Sequence, residues 1–266
     1  MTPKSFKKIV YDYYEKNRRS LPWRTTRDPY AVMVSELMLQ QTQVDRVVPK
    51  YLSFLRRFPT SQSLAKAKLA EVLSEWQGLG YNRRALYLKR TCEIVEKDFG
   101  GDMSRALRSE TKLPGIGPYT RGAIRTFAWN EPRTFIETNI RSVYIHHFFP
   151  KKRKIRDIDI LPYMRETLDI KNPREWYWAL MDYGAYLKRI VKNPSRKSKH
   201  HTKQSKFEGS NRELRSHILK AILKKSETVE SLQRKIKKPL LDIDRNLRAM
   251  KKEGLVREKN GVYTIE

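Results

Sequence analysis

The sequence predicts an all-α fold with a small C-terminal appendage, and two observations point to it. From Phe6 to about Leu187, apolar residues recur at three- and four-residue steps, as in Tyr30, Val34, Leu37 and Met38, and again in Leu86, Ile94 and Val95. That is the spacing of a helix face, and no run there sustains the period-two alternation of a strand. Breakers then cut the region into short helices: Asp28-Pro29, Phe58-Pro59-Thr60, Gly78 to Gly80, Pro114 to Pro118 and Asn172-Pro173. A chain of 266 residues is long enough for one large core or two modest ones. No internal repeat is present.

The organisation changes after residue 187. Residues 188–206, KRIVKNPSRKSKHHTKQSK, are basic and poor in apolar side chains, the composition of a linker or of an arm ordered by a polyanion. From residue 207 to 266 structure resumes. Leu214, Ile218, Ala221 and Ile222 share one helical face, a second helix is expected over Val229 to Ile236, and a third from Leu240 to Lys252 that stops at Gly254. LVREKNGVYTIE then reads as two short strands around Asn260-Gly261. Three helices and a hairpin resemble a winged helix-turn-helix. Its third helix would be the recognition helix, with Arg245 and Arg248 on one side. A packing module of the same shape would read alike.

Charge narrows the partners. Lys and Arg number 57 against 29 acidic residues, a formal net charge of +28. Such an excess suits a polyanion, and nucleic acid is the usual one. A membrane is the other, but no apolar run is long enough to span a bilayer, and MTPKSFKKIVYDYYEKNRR lacks the apolar stretch of a signal peptide. A cytoplasmic chain is expected, nucleoid-associated if the source is prokaryotic. Cys92 is the only cysteine, which excludes an intrachain disulfide and any cluster that needs several thiolates. His200 and His201, adjacent and without further ligands, do not suggest a metal site.

Two local patterns carry chemistry. Lys112 to Thr120 reads KLPGIGPYT, two glycines two apart before a helix. Glycine lets the backbone approach a ligand, and free N–H groups at the helix start favour an anion such as a phosphate. Gly115 and Gly117 are therefore phosphate-binding candidates, although an ordinary helix–helix turn uses the same residues. Glu36 lies inside VMVSELMLQ, where a carboxylate needs a reason. Pairing with a basic neighbour is one reason and catalysis another.

LPGIGPYTRGAI over its whole length resembles the hairpin of the helix-hairpin-helix DNA glycosylases. LPWR at 21–24, DPY at 28–30, SELMLQQTQV at 35–44, GLGYNRRA at 78–85 and WALMDYGA at 178–185 are similar, in order, to blocks of the MutY-type mismatch adenine glycosylases. The resemblance implies a helix-hairpin-helix glycosylase domain over residues 1–187, followed by the basic linker and the winged-helix-like domain. It implies that Glu36 is the general acid that protonates a purine at N7, that Gln41 probes the duplex, and that Tyr81 is the wedge that enters the stack as the target base flips out. The second carboxylate is implied in FIETNIRSV at 135–143. The family has Asp there; this chain has Glu137, one methylene longer, with Asn139 to orient it. Tyr119 stands where bifunctional relatives carry a Schiff-base lysine, so a monofunctional hydrolase without lyase activity is implied. Arg24 and Trp178 fall in the base pocket.

Three departures bear on the substrate. The family places a four-cysteine iron–sulfur loop after WALMDYGA; here that stretch has no cysteine, and Lys188, Arg189, Lys192, Arg196 and Lys197 are expected on the DNA backbone instead. No cofactor is expected, with room only for a structural monovalent cation at the hairpin. Trp178 replaces the Gln or Glu that often precedes ALMD. The large domain that reads 8-oxoguanine is replaced by residues 207–266, which are expected to add affinity without affecting base choice. Adenine opposite guanine or 8-oxoguanine, thymine, uracil or a damaged pyrimidine opposite guanine, another lesion, and an inactive DNA-binding protein all stay open. The expected partner is double-stranded DNA carrying a mispair or lesion, bound by a monomer.

Overall fold

Helices in this protein begin where the local sequence supplies a cap. In the computed structural model, which describes residues 1–202 and 206–265, α1 (Pro3–Asn17) starts after Thr2. The Thr2 hydroxyl accepts from the Ser5 amide at 3.2 Å, and Pro3 fills the first helical position. Then follow α2 (Pro29–Leu39), α3 (Val44–Arg57), α4 (Ser61–Lys66), α5 (Leu69–Glu75), α6 (Arg83–Phe99) and α7 (Met103–Arg108). Next come α8 (Pro118–Trp129), α9 (Thr138–Phe148), α10 (Asp157–Thr167) and α11 (Pro173–Ile190). The chain closes with α12 (Asn211–Lys224), α13 (Val229–Ile236) and α14 (Leu240–Glu253). Among the described residues the strands are β1 (Arg257–Lys259) and β2 (Val262–Thr264), an antiparallel pair. The fold is all-α, as the sequence predicts. No described helix is long and apolar enough to cross a membrane.

The chain divides into two compact units, each built from two separate stretches. The first comprises Met1–Val32 and Ile116–Lys203. Its core packs α1, α9 and α11 around aromatic side chains: the Phe6 ring lies 5.1 Å from Tyr144 and 5.9 Å from Trp176, and all three are buried. One buried ion pair ties α11 to the LPWR turn. Asp182 accepts from Arg24 Nη1 and Nη2 at 2.8 and 2.7 Å and from Arg19 Nε at 2.6 Å. Burial alone would raise the Asp182 carboxyl, but the Arg24 hydrogen bonds and charge, with those of Arg19, hold it below its ordinary value.

The basic stretch 188–206 departs from the linker expected of it. Residues 188–190 complete α11, Pro194–Lys197 form a 3-10 turn, and Ile155 pairs with Ser198 as a parallel bridge. Ser195 is buried, its hydroxyl 2.5 Å from Ser142 Oγ and donating to the Thr138 carbonyl at 3.0 Å. Composition counted the charges, but the small residues between them make the contacts. Residues 203–205 lie outside the described part of the chain.

The second unit comprises Met33–Gly115 and Gln204–Glu266. Phe54, Leu64, Leu73, Trp76 and Leu88 form a fully buried core on α3 to α6. In the C-terminal stretch Leu214, Ile218, Ile222, Leu232, Ile243, Leu247 and Met250 pack inward from α12, α13 and α14. Asn260 and Gly261, both at positive φ (53° and 76°), make the hairpin turn. Tyr263 exchanges backbone hydrogen bonds with Glu227 at 2.8 and 3.1 Å, which closes the winged-helix-like module.

Replacing Asp182 by Asn leaves the buried Arg24 guanidinium without its counter-charge, and we expect a loss of roughly 3–5 kcal/mol. Because the folded-state value of Asp182 is depressed, its contribution is present above the ordinary carboxylate range and is lost as pH falls through the depressed value. The gap between thermal melts of wild type and Asp182→Asn should therefore be constant above about pH 4 and start to close only as pH falls below it. A gap that stays constant through that fall would contradict this.

Candidate active site and nucleic-acid interface

In the second unit the site is built around the end of α2. Met33, Val34, Leu37 and Met38 are fully buried or nearly so, and Glu36 is buried among them at 6% exposure. One turn later the helix stops, and its last carbonyls need partners. Arg84, on the first turn of α6, supplies them. Its Nη1 donates to the carbonyls of Leu37, Met38 and Gln40 at 2.7, 2.9 and 2.5 Å. Its Nη2 donates to those of Leu79 and Gly80 at 3.2 and 2.9 Å, and to Thr42 Oγ1 at 3.1 Å. Burial pulls the guanidinium down to about 10, so it stays charged at neutral pH.

Arg84 thus joins two turns that both hold residues in left-handed conformation. Gln41 has φ 55° and Tyr81 φ 48°, which is uncommon for side chains of this size. Tyr81 follows Gly78 and Gly80, at φ 90° and 70°. These two residues, predicted to probe and wedge the duplex, sit on turns that one buried cation fixes. Gly115 has φ 75°, and a Cβ there would meet Tyr87 Cβ at 3.1 Å, so the hairpin glycine is required by both backbone and packing.

The first unit holds the other predicted residues. Glu137 is the N-cap of α9: its Oε1 accepts from the amides of Asn139 and Ile140 at 2.6 and 2.8 Å. A carboxylate at a helix start meets free N–H groups and the positive end of the helix dipole. The extra methylene is absorbed by this fold-back. Asn139 Nδ2 reaches the other carboxylate oxygen at 3.4 Å, and Asn139 Oδ1 accepts from Lys188 Nζ at 2.8 Å. Lys188, expected on the DNA backbone, is therefore turned inward. Burial pulls its amine below the ordinary lysine value, against the upward pull of the Glu137 charge. Lys188, Asn139 and Glu137 form one polar chain. Arg189 next to it is exposed.

Gly184 makes that arrangement possible. A Cβ at Gly184 would lie 2.3 Å from the Asn139 carbonyl oxygen, so α11 approaches α9 closely only because this position has no side chain. Tyr119, on the first turn of α8, packs edge-on to Phe135 at 5.7 Å. Gly117 caps the same helix; it is exposed, and nothing lies within 4 Å of where its Cβ would be, which leaves room for an anion. Trp178 stacks on Phe127 and has the Arg24 and Arg27 guanidinium groups 5.5 and 5.6 Å from its ring centroid. Arg24, expected in the base pocket, is committed to Asp182. On α14, Arg245 and Arg248 are exposed but paired at 2.8 Å with Asp242 and Asp244 of the same helix.

Sequence reasoning missed the roles of Arg84 and Gly184. A glycine inside the helical run WALMDYGA was the available signal for a close helix crossing. The donor set after α11 does not fit an iron–sulfur cluster: its polar side chains are hydroxyl, amine, guanidine, imidazole and amide, and Cys92 is buried on α6.

Residues 34–160 match the model of the HhH-GPD superfamily of base excision DNA repair proteins. Adenine DNA glycosylase of Buchnera aphidicola subsp. Baizongia pistaciae is 38% identical over 186 residues, 68% of this chain and 52% of that protein. The Mycolicibacterium smegmatis adenine DNA glycosylase is 36% identical over 66% of this chain and 61% of its own length. The chain spans about half the length of the curated relatives it matches. A solved thermostable thymine-DNA glycosylase superposes with a TM-score of 0.63 at 25% identity, covering 73% of this chain and 91% of that one. An endonuclease III–DNA covalent intermediate shares the fold at TM-score 0.55.

Arg84→Met should orphan the Leu37 and Met38 carbonyls, while those of Gln40, Leu79 and Gly80 keep Thr42 Oγ1 or Trp76 Nε1 as donors. At about 1–3 kcal/mol per buried group left unpaired, we expect a loss of roughly 3 kcal/mol or more, a fall in Tm of roughly 6 °C or more. An unchanged melt would show the clamp to be dispensable. Gly184→Ala forces α9 and α11 apart and should cost roughly 1–3 kcal/mol. Gly122→Ala on α8 is the control, since its Cβ would meet Phe135 at an ordinary 3.4 Å. Equal melting of the two variants would refute the close crossing.

Proposed function

We propose, from the match of residues 34–160 to the HhH-GPD superfamily of base excision DNA repair proteins, that this protein is a monofunctional DNA glycosylase that removes adenine mispaired with guanine or 8-oxoguanine. The observation that carries the reading is Glu36, a carboxylate buried on a largely apolar helix within the matched region. The adenine DNA glycosylases among its relatives support the choice of base. In this reading the hairpin glycines Gly115 and Gly117 take a backbone phosphate, Tyr81 enters the stack, and Gln41 probes beside it.

Glu36 in its acid form gives its proton to N7 of the extruded purine. The C1′–N9 bond breaks with its electron pair leaving on the base. The sugar cation that forms is stabilised by the Glu137 carboxylate, which its own helix start and Asn139 hold in place. Water adds to C1′ and its proton returns to Glu36. Lys188 acts through Asn139, as a positioning residue. Tyr119 has no amine, so no Schiff base forms and the product is an abasic site. The steps need no metal and no cluster.

The likeness to a thymine-DNA glycosylase, of which this chain spans 91%, makes thymine opposite guanine the competing substrate. Single-turnover cleavage of duplexes carrying A:oxoG, A:G, T:G and U:G decides between them, and the adenine duplexes should react fastest. Glu36→Gln should slow base release by roughly 10²–10⁴-fold while duplex binding persists. Strand breaks should appear only after alkali. A borohydride-trapped adduct would refute the monofunctional assignment, full activity in Glu36→Gln would refute the acid, and preferential cleavage of T:G would move the substrate to pyrimidine.

A further inference from the structure

The C-terminal stretch was expected to add affinity alone, yet in the second unit it reaches the turn that holds Tyr81. Arg212 sits on the first turn of α12, whose start is capped by Ser210. Its Nη1 donates to the Tyr81 hydroxyl at 3.0 Å, and its guanidinium carbon lies 5.3 Å from the Tyr81 ring centroid. The buried Arg84 lies 5.5 Å from the same ring. Tyr81 is thus tied at its backbone by one arginine and at its phenol by another, and the second comes from a segment more than a hundred positions away in sequence.

Between these turns opens a cavity of about 630 Å³, lined among others by Gln41, Gln77, Arg46, Tyr81, Phe207 and Arg212. That is the size of a small-molecule site. Its chemistry is mixed in a particular way: the flat apolar faces of Phe207 and Tyr81, the amides of Gln41 and Gln77, and several guanidinium groups. Its acid, Glu253, is ion-paired with Arg215. Flat walls with polar groups at the rim suit a nucleobase, and fork-shaped donors suit a base whose edge offers two acceptors, as guanine does through O6 and N7.

Building on the glycosylase reading above, we propose that this cavity receives the base opposite the extruded one, and that Arg212 is a specificity-determining residue that holds Tyr81 in place and reads that opposite base. The winged-helix-like module then takes part in choosing the mispair. Residue choice follows from the geometry. Lysine at position 212 keeps the charge but loses the fork that can hold the Tyr81 hydroxyl and a base edge together. A phosphate contact by Arg212 is the competing role, and it predicts a different pattern: weaker binding to every duplex alike, with a shallower salt dependence.

The test uses the full chain and single-turnover release of adenine placed opposite guanine, 8-oxoguanine, cytosine or an abasic site. Arg212→Ala should reduce the ratio of the rate opposite guanine to the rate opposite cytosine by roughly 10-fold, and Arg212→Lys should not restore it. Tyr81→Phe, which removes only the hydroxyl, should lower the same ratio, and the double variant should lose less than the two effects added. A fluorescent guanine analogue opposite the adenine supplies a readout independent of cleavage: wild type should change its emission on binding, and Arg212→Ala should not. A uniform loss across all duplexes with the ratio intact, or an emission change that survives in Arg212→Ala, would overturn the proposal. If wild-type protein released no base from any duplex, the glycosylase reading would fall, and the emission change would still decide whether Arg212 reads the opposite base.

Discussion

A single buried guanidinium sets the geometry of the second unit. Arg84 stands where the carbonyls of three pieces of chain converge: the last turn of α2, the Gln40–Thr42 turn, and the loop through Leu79 and Gly80. Burying a charge without partners is expensive, and burying it against a full set of acceptors is not. The balance explains why this side chain and no neutral one suits the position. An apolar residue would leave the Leu37 and Met38 carbonyls unsatisfied, and Lys has neither the planar fork nor enough donors spread in one plane. Two residues in left-handed conformation, Gln41 and Tyr81, flank this cation. Such conformations persist only where the surroundings over-determine them, and here the surroundings are the hydrogen bonds of Arg84.

The two carboxylates are placed by different physics. Glu36 is buried on α2 beside the apolar Met33, Leu37 and Met38, with little contact with solvent. Glu137 is positioned by attraction, since its carboxylate closes the start of its own helix. The second arrangement fixes the Glu137 carboxylate in one orientation at the start of α9. Gly184 supports the second indirectly, because the α9–α11 approach carries Asn139 and Lys188 into register with Glu137.

Much of this was legible in the sequence because it is local. Helix starts at Pro3, Pro118 and Pro173, the Asn260-Gly261 hairpin and the three helices before it follow from turn and cap chemistry within a few residues. Glu36 stood out because a carboxylate interrupts an apolar run. What escaped was non-local. The basic stretch after α11 looked like a linker because composition cannot see that Ser195 finds Ser142, or that Ile155 pairs with Ser198. Lys188 looked like a phosphate contact because a charge run hides the one member that turns inward. Arg24 was assigned to a pocket, although its fork is engaged by a carboxylate 158 positions away.

The interleaving of the chain has a consequence for how the protein is made. Residues 1–32 belong with 116–203, and 33–115 belong with 204–266. Neither unit is a continuous segment, so the first stretch of each must wait until the other unit's residues have been made before its own partner stretch follows. The early helices of each must wait, partly uncovered, for partners synthesised later, and contacts of such long sequence separation close slowly. A nascent chain halted before residue 204 would lack Arg212, and with it the hydrogen bond that holds the Tyr81 hydroxyl. The second unit therefore depends on a stretch made long after its first half.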